Sequence, residues 1–433
     1  MRLPKMVTAA AVAALALSSA ACSSSSNEPA KEPGSAALQG QTLTVAAVWS
    51  KTEQQNFEAV LTEFEKRTGA TVQYESLGDE LPTVIKTRVA GGQAPNVAMI
   101  AQPGLIAEFA RAGNLKPLAA NVESIITDQF SAGAKSIGQV DGKTYGVLFK
   151  AANKSSVWYK TADVATTPKS WDEFISELKK QSDSGKTPLS VAGEPGWALT
   201  DWFENIYLQT AGPEMYDKLA KHEIPWTDPS VTKAFEELAK VFGQSSFFPG
   251  GNAGAVATDF PTSVTNVFGT NPKASLTFEG DFVSAEITKA GAFTVGDTAK
   301  YFAFPQLAGK SAVVTGGDIA VAFKDDAATT ALMEFLASSD AASVWAKAGG
   351  LLSLNKKVAN DVYPDATTRQ LAKELVDAGD NVRYDLSDLT PSAFGGTKGA
   401  GFWKAMQDFL ANPANIAAVQ QSLETSAAAA YKK

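Results

Sequence analysis

The chain of 433 residues predicts an α/β fold, on three observations. Short β-branched or apolar runs alternate with segments of helical apolar spacing, glycines stand where those helices should stop, and no internal repeat is visible. Such alternation argues for a mainly parallel sheet with helices on both faces, where ligands bind beyond the carboxyl ends of the strands. With 45% hydrophobic residues the chain can fill two domains of ordinary size or one bilobed unit.

Thr42 to Trp49 reads as the first strand, and Glu53 to Arg67 places Phe57, Val60, Leu61 and Phe64 on one helical face before Gly69. Thr71 to Glu75 alternates as a strand, Leu81 to Val89 is helical, and Val97 to Ala101 is a buried-type strand. A helix from Pro103 to Arg111 follows, closed by Gly113. The strand ends at Trp49-Ser50 and Gln102-Pro103 are where a cleft is expected. After the turn at Asp141-Gly142, strands Thr144 to Phe149 and Ser156 to Tyr159 flank Lys150 to Ser155, an interruption suited to a crossover into a second lobe. Ser170 and Glu173 form a capping box for a helix to Lys180 that buries Trp171, Phe174, Ile175 and Leu178. Leu199 to Leu208 is helical, and Asp228-Pro229 opens a helix with Val231, Phe235, Leu238 and Phe242 on one face. Phe247 to Thr258, rich in Gly and Ala, reads as a loop without a phosphate-loop lysine. Strands are expected at Ala274 to Phe278, Tyr301 to Phe304 and Ile319 to Phe323, and helices at Thr329 to Leu336, Ala341 to Ala348 and from Phe402 onward.

Arg2 and Lys5, a short apolar run from Val7 to Leu17 and the small residues Ser19-Ala20-Ala21 precede Cys22, the only cysteine. The pattern reads as an export leader cleaved before a lipid attachment site, and it resembles a bacterial lipoprotein signal except that Ser19 stands where Leu is usual. A buried core cysteine is the alternative. Residues 22–39, rich in Ser, Ala, Glu and Pro, cannot bury enough surface to order themselves and read as a tether. Without Arg2 and Lys5, 36 basic residues remain against 46 acidic, a charge of −10, which disfavours nucleic acid and anionic membrane as partners. One histidine, His222, and one cysteine leave a zinc site or a histidine-based dyad without ligands, so neither metal nor cofactor is expected.

Several motifs in fixed order resemble the extracellular solute-binding lipoproteins of bacterial carbohydrate ABC importers, the maltose-binding-protein-like group. They are Phe64-Glu65-Lys66-Arg67-Thr68-Gly69, Ala94-Pro95-Asn96-Val97, Asp141-Gly142-Lys143-Thr144-Tyr145-Gly146-Val147 and Trp158-Tyr159-Lys160. Thr167-Pro168-Lys169-Ser170-Trp171-Asp172-Glu173-Phe174 and Gly316-Gly317-Asp318, leading into Ile319 to Phe323, complete the series. The resemblance runs from Thr42 to the C-terminus. It implies a two-lobed periplasmic-binding-protein-like fold of type II with the ligand cleft between lobes, and catalysis absent. The implied organisation is a signal at 1–21, a tether at 22–39, one lobe from 40–151 and 317–360, and the other from 152–316 and 361–433. Crossovers then fall near Ala151, Gly316-Gly317 and Asn360. The implied partners are a mono- or oligosaccharide, the permease subunits with their ATPase, and the membrane's outer face through lipidated Cys22. The protein is expected to act as a monomer.

A neutral polyol needs aromatic faces for its C–H surface and carboxylates, amides or Arg for its hydroxyls. Trp197, after Glu194-Pro195-Gly196, reads as an exposed loop aromatic, and Trp49 ends the first strand at the cleft edge. Trp403 matches a sugar-stacking tryptophan of the family or is core on a terminal helix. Phe282 occupies the place of another stacking tryptophan, which makes a smaller platform. Polar candidates are Gln102, Asp318 beside Gly317, Asp281 and Asn153, the last an amide where the maltose-binding protein carries a carboxylate. Glu279 and Asp281 alternate, so at most one should face the cleft. Arg383 contacts ligand or pairs with Asp385 and Asp388. The glycines at 316 and 317 serve a turn of positive φ, a hinge, or close approach of backbone to ligand. The sequence thus favours capture of a neutral sugar, an α-glucoside or other oligosaccharide, over a polyamine or glycerol phosphodiester on the same fold. A secreted glycoside hydrolase is the enzyme reading, and no motif fixes its acid and nucleophile.

Overall fold

The computed structural model describes residues 38–432 other than 308, 310, 311 and 379–381. The leader, Cys22 and the tether to residue 37 lie outside the described residues. Leu38, inside the span expected for the tether, is buried, with its N–H on the Thr68 carbonyl at 3.1 Å.

The strands are β1 (Thr42–Ala47), β2 (Thr71–Ser76), β3 (Val97–Ile100), β4 (Gln139–Val140), β5 (Lys143–Thr144) and β6 (Gly146–Asn153). They continue as β7 (Ser156–Lys160), β8 (Leu189–Ser190), β9 (Leu276–Glu279), β10 (Ala299–Ala303), β11 (Val313–Ala322) and β12 (Val382–Tyr384). One sheet is ordered β12-β11-β3-β1-β2, with β6 also pairing β11; a second is β10-β7-β9-β8; β4 and β5 form a small hairpin. β1 is parallel to β2 and β3, and β12 to β11, but β11 is antiparallel to β3 and β6. The expected mainly parallel sheet is therefore mixed. β6 and β11 connect through the other lobe rather than through a helix on the same sheet, so the constraint that makes βαβ units parallel does not act on them.

Two apolar clusters fill the lobes, the first reaching from the first sheet to Trp158 and Ala299 on strands of the second. Phe57, Phe64, Phe149 and Trp345 centre the first, while Phe174, Trp202, Phe203 and Phe235 centre the second. The helix Lys51–Thr68 buries the four residues its spacing predicts and stops at Gly69, whose φ of 76° suits glycine and whose N–H returns to the Glu65 carbonyl. The capping box at Ser170 and Glu173 is formed.

Among the described residues the chain passes between the sheets three times: at Lys154-Ser155 after β6, between β10 and β11, and at Asp385 after β12. The first interruption is shorter than expected because β6 keeps pairing with β11 as far as Asn153. The third crossing, expected near Asn360, leads into a stretch that touches both lobes. Tyr363, Leu371 and Leu375 pack in the first cluster, Glu374 accepts from the Tyr301 hydroxyl of β10 at 3.0 Å, and Leu386 packs in the second cluster. We propose a third crossing that runs from Asn360 to Asp385. The stretch read as a loop at Phe247 to Thr258 contains a helix, Gly251–Val256, anchored by the Asn252 amide on the carbonyls of Phe242 and Leu410.

Candidate functional site

A cleft of about 270 Å³ lies where the crossing segments meet the strand ends, near the lower limit of small-molecule sites at ~300 Å³. One wall comes from Val48 to Lys51 after β1, Gly78, Asp79, Leu81 and Pro82, and Ala101-Gln102 after β3. The opposite wall is Glu194, Pro195, Trp197, Asp259 to Pro261, Phe282, Glu286 and Trp403. Lys150, Ala152, Lys154, Gly317, Asp318, Asp385 and Asp388 make the floor, all on or beside crossing segments.

Trp197 is the first residue of the helix Trp197–Ala211 and not part of a loop. Gly196 sets its direction: φ there is +85°, and a Cβ would fall 2.6 Å from the Cβ of Trp403. Only glycine allows both the turn and the approach. The Trp197 ring is half-buried, 5.7 Å from Phe260 and 6.1 Å from Phe282, while its indole N–H faces the Asp79 carboxylate across the cleft.

Both floor lysines are committed internally. Lys150 Nζ lies 2.6 Å from Glu53 and sits over the rings of Phe282, Trp345 and Trp49 at 5.3, 5.4 and 5.8 Å. Burial works against its charge, but Glu53 and Asp318 outweigh it and raise the pKa. Lys154 Nζ lies 2.5 Å from Asp385 and 3.2 Å from Asp201, with the Trp197 ring 5.3 Å away. Its pKa is well above the usual value, since Asp201 and Asp385 overcome burial.

Burial pushes Asp318 up to about 6, with Lys150 pulling it back, and pushes Asp388 well above the usual carboxylate range, helped by the charge of Asp385. Asp385 would also rise by burial; Lys154 reverses that and holds it low. The floor therefore mixes an ionised acceptor with carboxyls that can donate and accept. Gln102 Oε1 and the Trp403 indole N–H add a buried acceptor and a buried donor without protein partners. Behind the floor, burial raises Glu279 to about 8. Its oxygens and Asp201 Oδ2 lack partners as ionised groups, and burial pushes Asp201 up as well, so a proton shared by this pair supplies the donor between them. Asp201, Glu204 and Asp385 bring oxygens within 4.8 Å of one another, yet Lys154 Nζ binds two of them and the Glu204 oxygens accept the N–H groups of Leu386 and Ser387. The ammonium occupies the role a metal would have.

Of the residues singled out in the sequence, Trp49, Gln102, Trp197, Phe282, Gly317, Asp318 and Trp403 line the cleft. Asn153, Asp281 and Arg383 do not. The Asp281 carboxylate accepts the Asn153 backbone N–H at 2.7 Å, and Asn153 Oδ1 accepts from Ser155 N–H. These two stabilise the first crossing from behind. Arg383 bonds Asp217 at 2.7 Å and its neighbour's carbonyl, instead of pairing with Asp385 and Asp388. Trp49 and Trp403, 2% and 4% exposed, offer far less surface than Trp197. Gly316 and Gly317 have no positive φ and form no turn: they lie within β11, where a Cβ at Gly317 would meet the Lys150 carbonyl at 2.1 Å. The lysines were missed, although a charge inside Val147-Leu148-Phe149-Lys150-Ala151-Ala152 is itself a signal. Asp79 and Phe260 carried none.

A family model described as bacterial extracellular solute-binding protein matches residues 59–371. The osmoprotective compounds-binding protein GgtB of Synechocystis sp. is 33% identical over 380 residues, 85% of this chain and 88% of its own. The alpha-glucosides-binding periplasmic protein AglE of Rhizobium meliloti is 33% identical over 86% of this chain and 84% of its own. In fold, the chain resembles the solved structure of the bacterial solute receptor AcbH, with a TM-score of 0.78 at 21% identity over 92% of this chain and all of that one. A model spanning most of the chain and two relatives a third identical over most of their length agree: the chain belongs to the bacterial extracellular solute-binding proteins.

Proposed function

We propose that this protein captures a neutral sugar, foremost an α-glucoside, outside the membrane and delivers it to the permease subunits of an ABC importer driven by their ATPase. The observation that carries the reading is the Trp197 ring, half-buried at a cleft whose two floor lysines are already paired and whose floor offers both donors and acceptors. A sugar's C–H face stacks on such a ring while its hydroxyls take the directional bonds. The similarity to a relative named for α-glucosides supports that class. The bonding of Asp385 supports capture rather than hydrolysis: it is committed to Lys154, Ser387 and the Asp388 N–H, so it does not serve as a free nucleophile.

One observation favours a second reading. Eight of the lining side chains are carboxylates against three lysines and no arginine among the described residues. Such a cleft suits a polyamine better than a glycerol phosphodiester, whose phosphate would require uncommitted cations. A melting panel of mono-, di- and oligosaccharides with spermidine decides between them, because a ligand bound only by the folded state raises the melting temperature. A rise with an α-glucoside and none with spermidine is expected; the reverse selects the polyamine.

A further inference from the structure

Lys154 touches every crossing between the lobes that the described residues show. It stands on the first, between β6 and β7, and its backbone N–H donates at 2.9 Å to the Val314 carbonyl, where the second crossing enters β11. Its aliphatic stem rests on the same crossing: a Cβ at Gly316 would fall 2.8 Å from Lys154 Cε and 3.1 Å from Cδ. Its ammonium binds Asp385 on the third crossing at 2.5 Å, and Asp385 N–H in turn donates to the Thr315 carbonyl of the second at 2.7 Å. A further bond to Asp201 at 3.2 Å fastens the group to the helix Trp197–Ala211 of the second lobe. Lys154 is 9% exposed and Asp385 1%, so separating them strands a buried charge on each side.

We propose that Lys154 is a clamp that holds the crossing segments in one register and so sets the angle between the lobes. Bending at such segments needs independent changes of backbone torsion in each. A lysine rooted in the first, lying against the second and bonded through its ammonium to the third makes those changes interdependent. Two of its ammonium protons go to Asp201 and Asp385, and the group also lines the cleft beside Trp197, so the clamp is in reach of whatever the cleft holds. The inference rests on the two-lobed fold and goes beyond the choice of solute.

The test is a distance distribution between spin labels on Lys66→Cys in the first lobe and Glu236→Cys in the second, both exposed positions, in the full chain carrying Cys22→Ser and without added solute. The double variant Lys154→Met with Asp385→Asn removes both charges together while leaving an acceptor at 385 for the helix that follows. Its distribution should be at least about twofold wider than that of the parent. Gly316→Ala keeps every charge but pushes the lysine stem aside, and it should widen the distribution too. An unchanged width in the folded double variant overturns the proposal. Should that variant not fold, Gly316→Ala decides alone: a wider distribution supports the clamp, and the parent's width refutes it. Because no solute is present, failure here leaves the capture of sugar standing.

Discussion

At position 197 the indole is half-buried on the cleft, tilted against Phe260 and T-shaped to Phe282, and it belongs to neither apolar cluster, so truncation removes little core. Trp197→Ala should therefore weaken sugar binding by about thirtyfold, or about 2 kcal/mol, in calorimetry, with the unliganded melting temperature almost unchanged. A second residue-scale expectation concerns protons. Burial raises Glu279 to about 8 and Asp281 to about 7, so the folded chain keeps protons that the unfolded chain releases at about pH 4. Between about pH 5 and 8 the folded state binds more protons, and stability falls as pH rises, by ~1.4 kcal/mol per pH unit for each extra proton. Asp385, held low, acts oppositely and below that window. Melting scans of Glu279→Gln against pH should show a shallower decline than the parent; parallel curves would remove Glu279 as a source. The stacking candidates were legible because a large aromatic after Pro195-Gly196 is conspicuous. Asp79 was not, since nothing local in Gly78-Asp79-Glu80 shows that it faces an indole from the other lobe.

β6 and β11 are the elements on which the site is built, and their close approach depends on glycine. A Cβ at Gly317 meets the carbonyl of Lys150 and the Cα of Ala151, atoms that cannot rotate away. Gly317→Ala should cost about 1–3 kcal/mol in chemical denaturation by forcing the strands apart, and it should weaken solute binding because Lys150 and Asp318 move with them. Full stability in that variant would show that the pair tolerates wider spacing. Helices and strands were readable within a few residues wherever a local signal exists: Gly69 as a stop, Ser170 with Glu173 as a cap, Asp228-Pro229 as a start. The extension of β6 to Asn153 and the start of β11 at Val313 were not readable, because each is decided by its pairing with the other.

For the whole molecule, two lobes and the order of their crossings followed from the motif series, while the extent of the third crossing did not. No sequence feature at Asn360 or Asp385 reports how the intervening helix Ala366–Asp377 packs, with Leu371 and Leu375 in the first cluster and Glu374 bonded to Tyr301 of β10. Among the described residues no helix is long and apolar enough to cross a membrane, and we propose that Cys22 supplies the anchor. Cys22→Ser should move the protein from the membrane fraction to the medium and abolish incorporation of labelled fatty acid; a wild-type chain that takes up no label contradicts the anchor. The account's central claim, reversible capture of a neutral sugar in the cleft beside Trp197, is tested most directly by calorimetric titration of the parent and Trp197→Ala with maltose, trehalose, sucrose and raffinose, and with spermidine. One-to-one binding of at least one sugar, weakened about thirtyfold in the variant with no heat from spermidine, is the predicted result; silence from every sugar with saturable binding of spermidine, or sugar binding indifferent to Trp197, contradicts it.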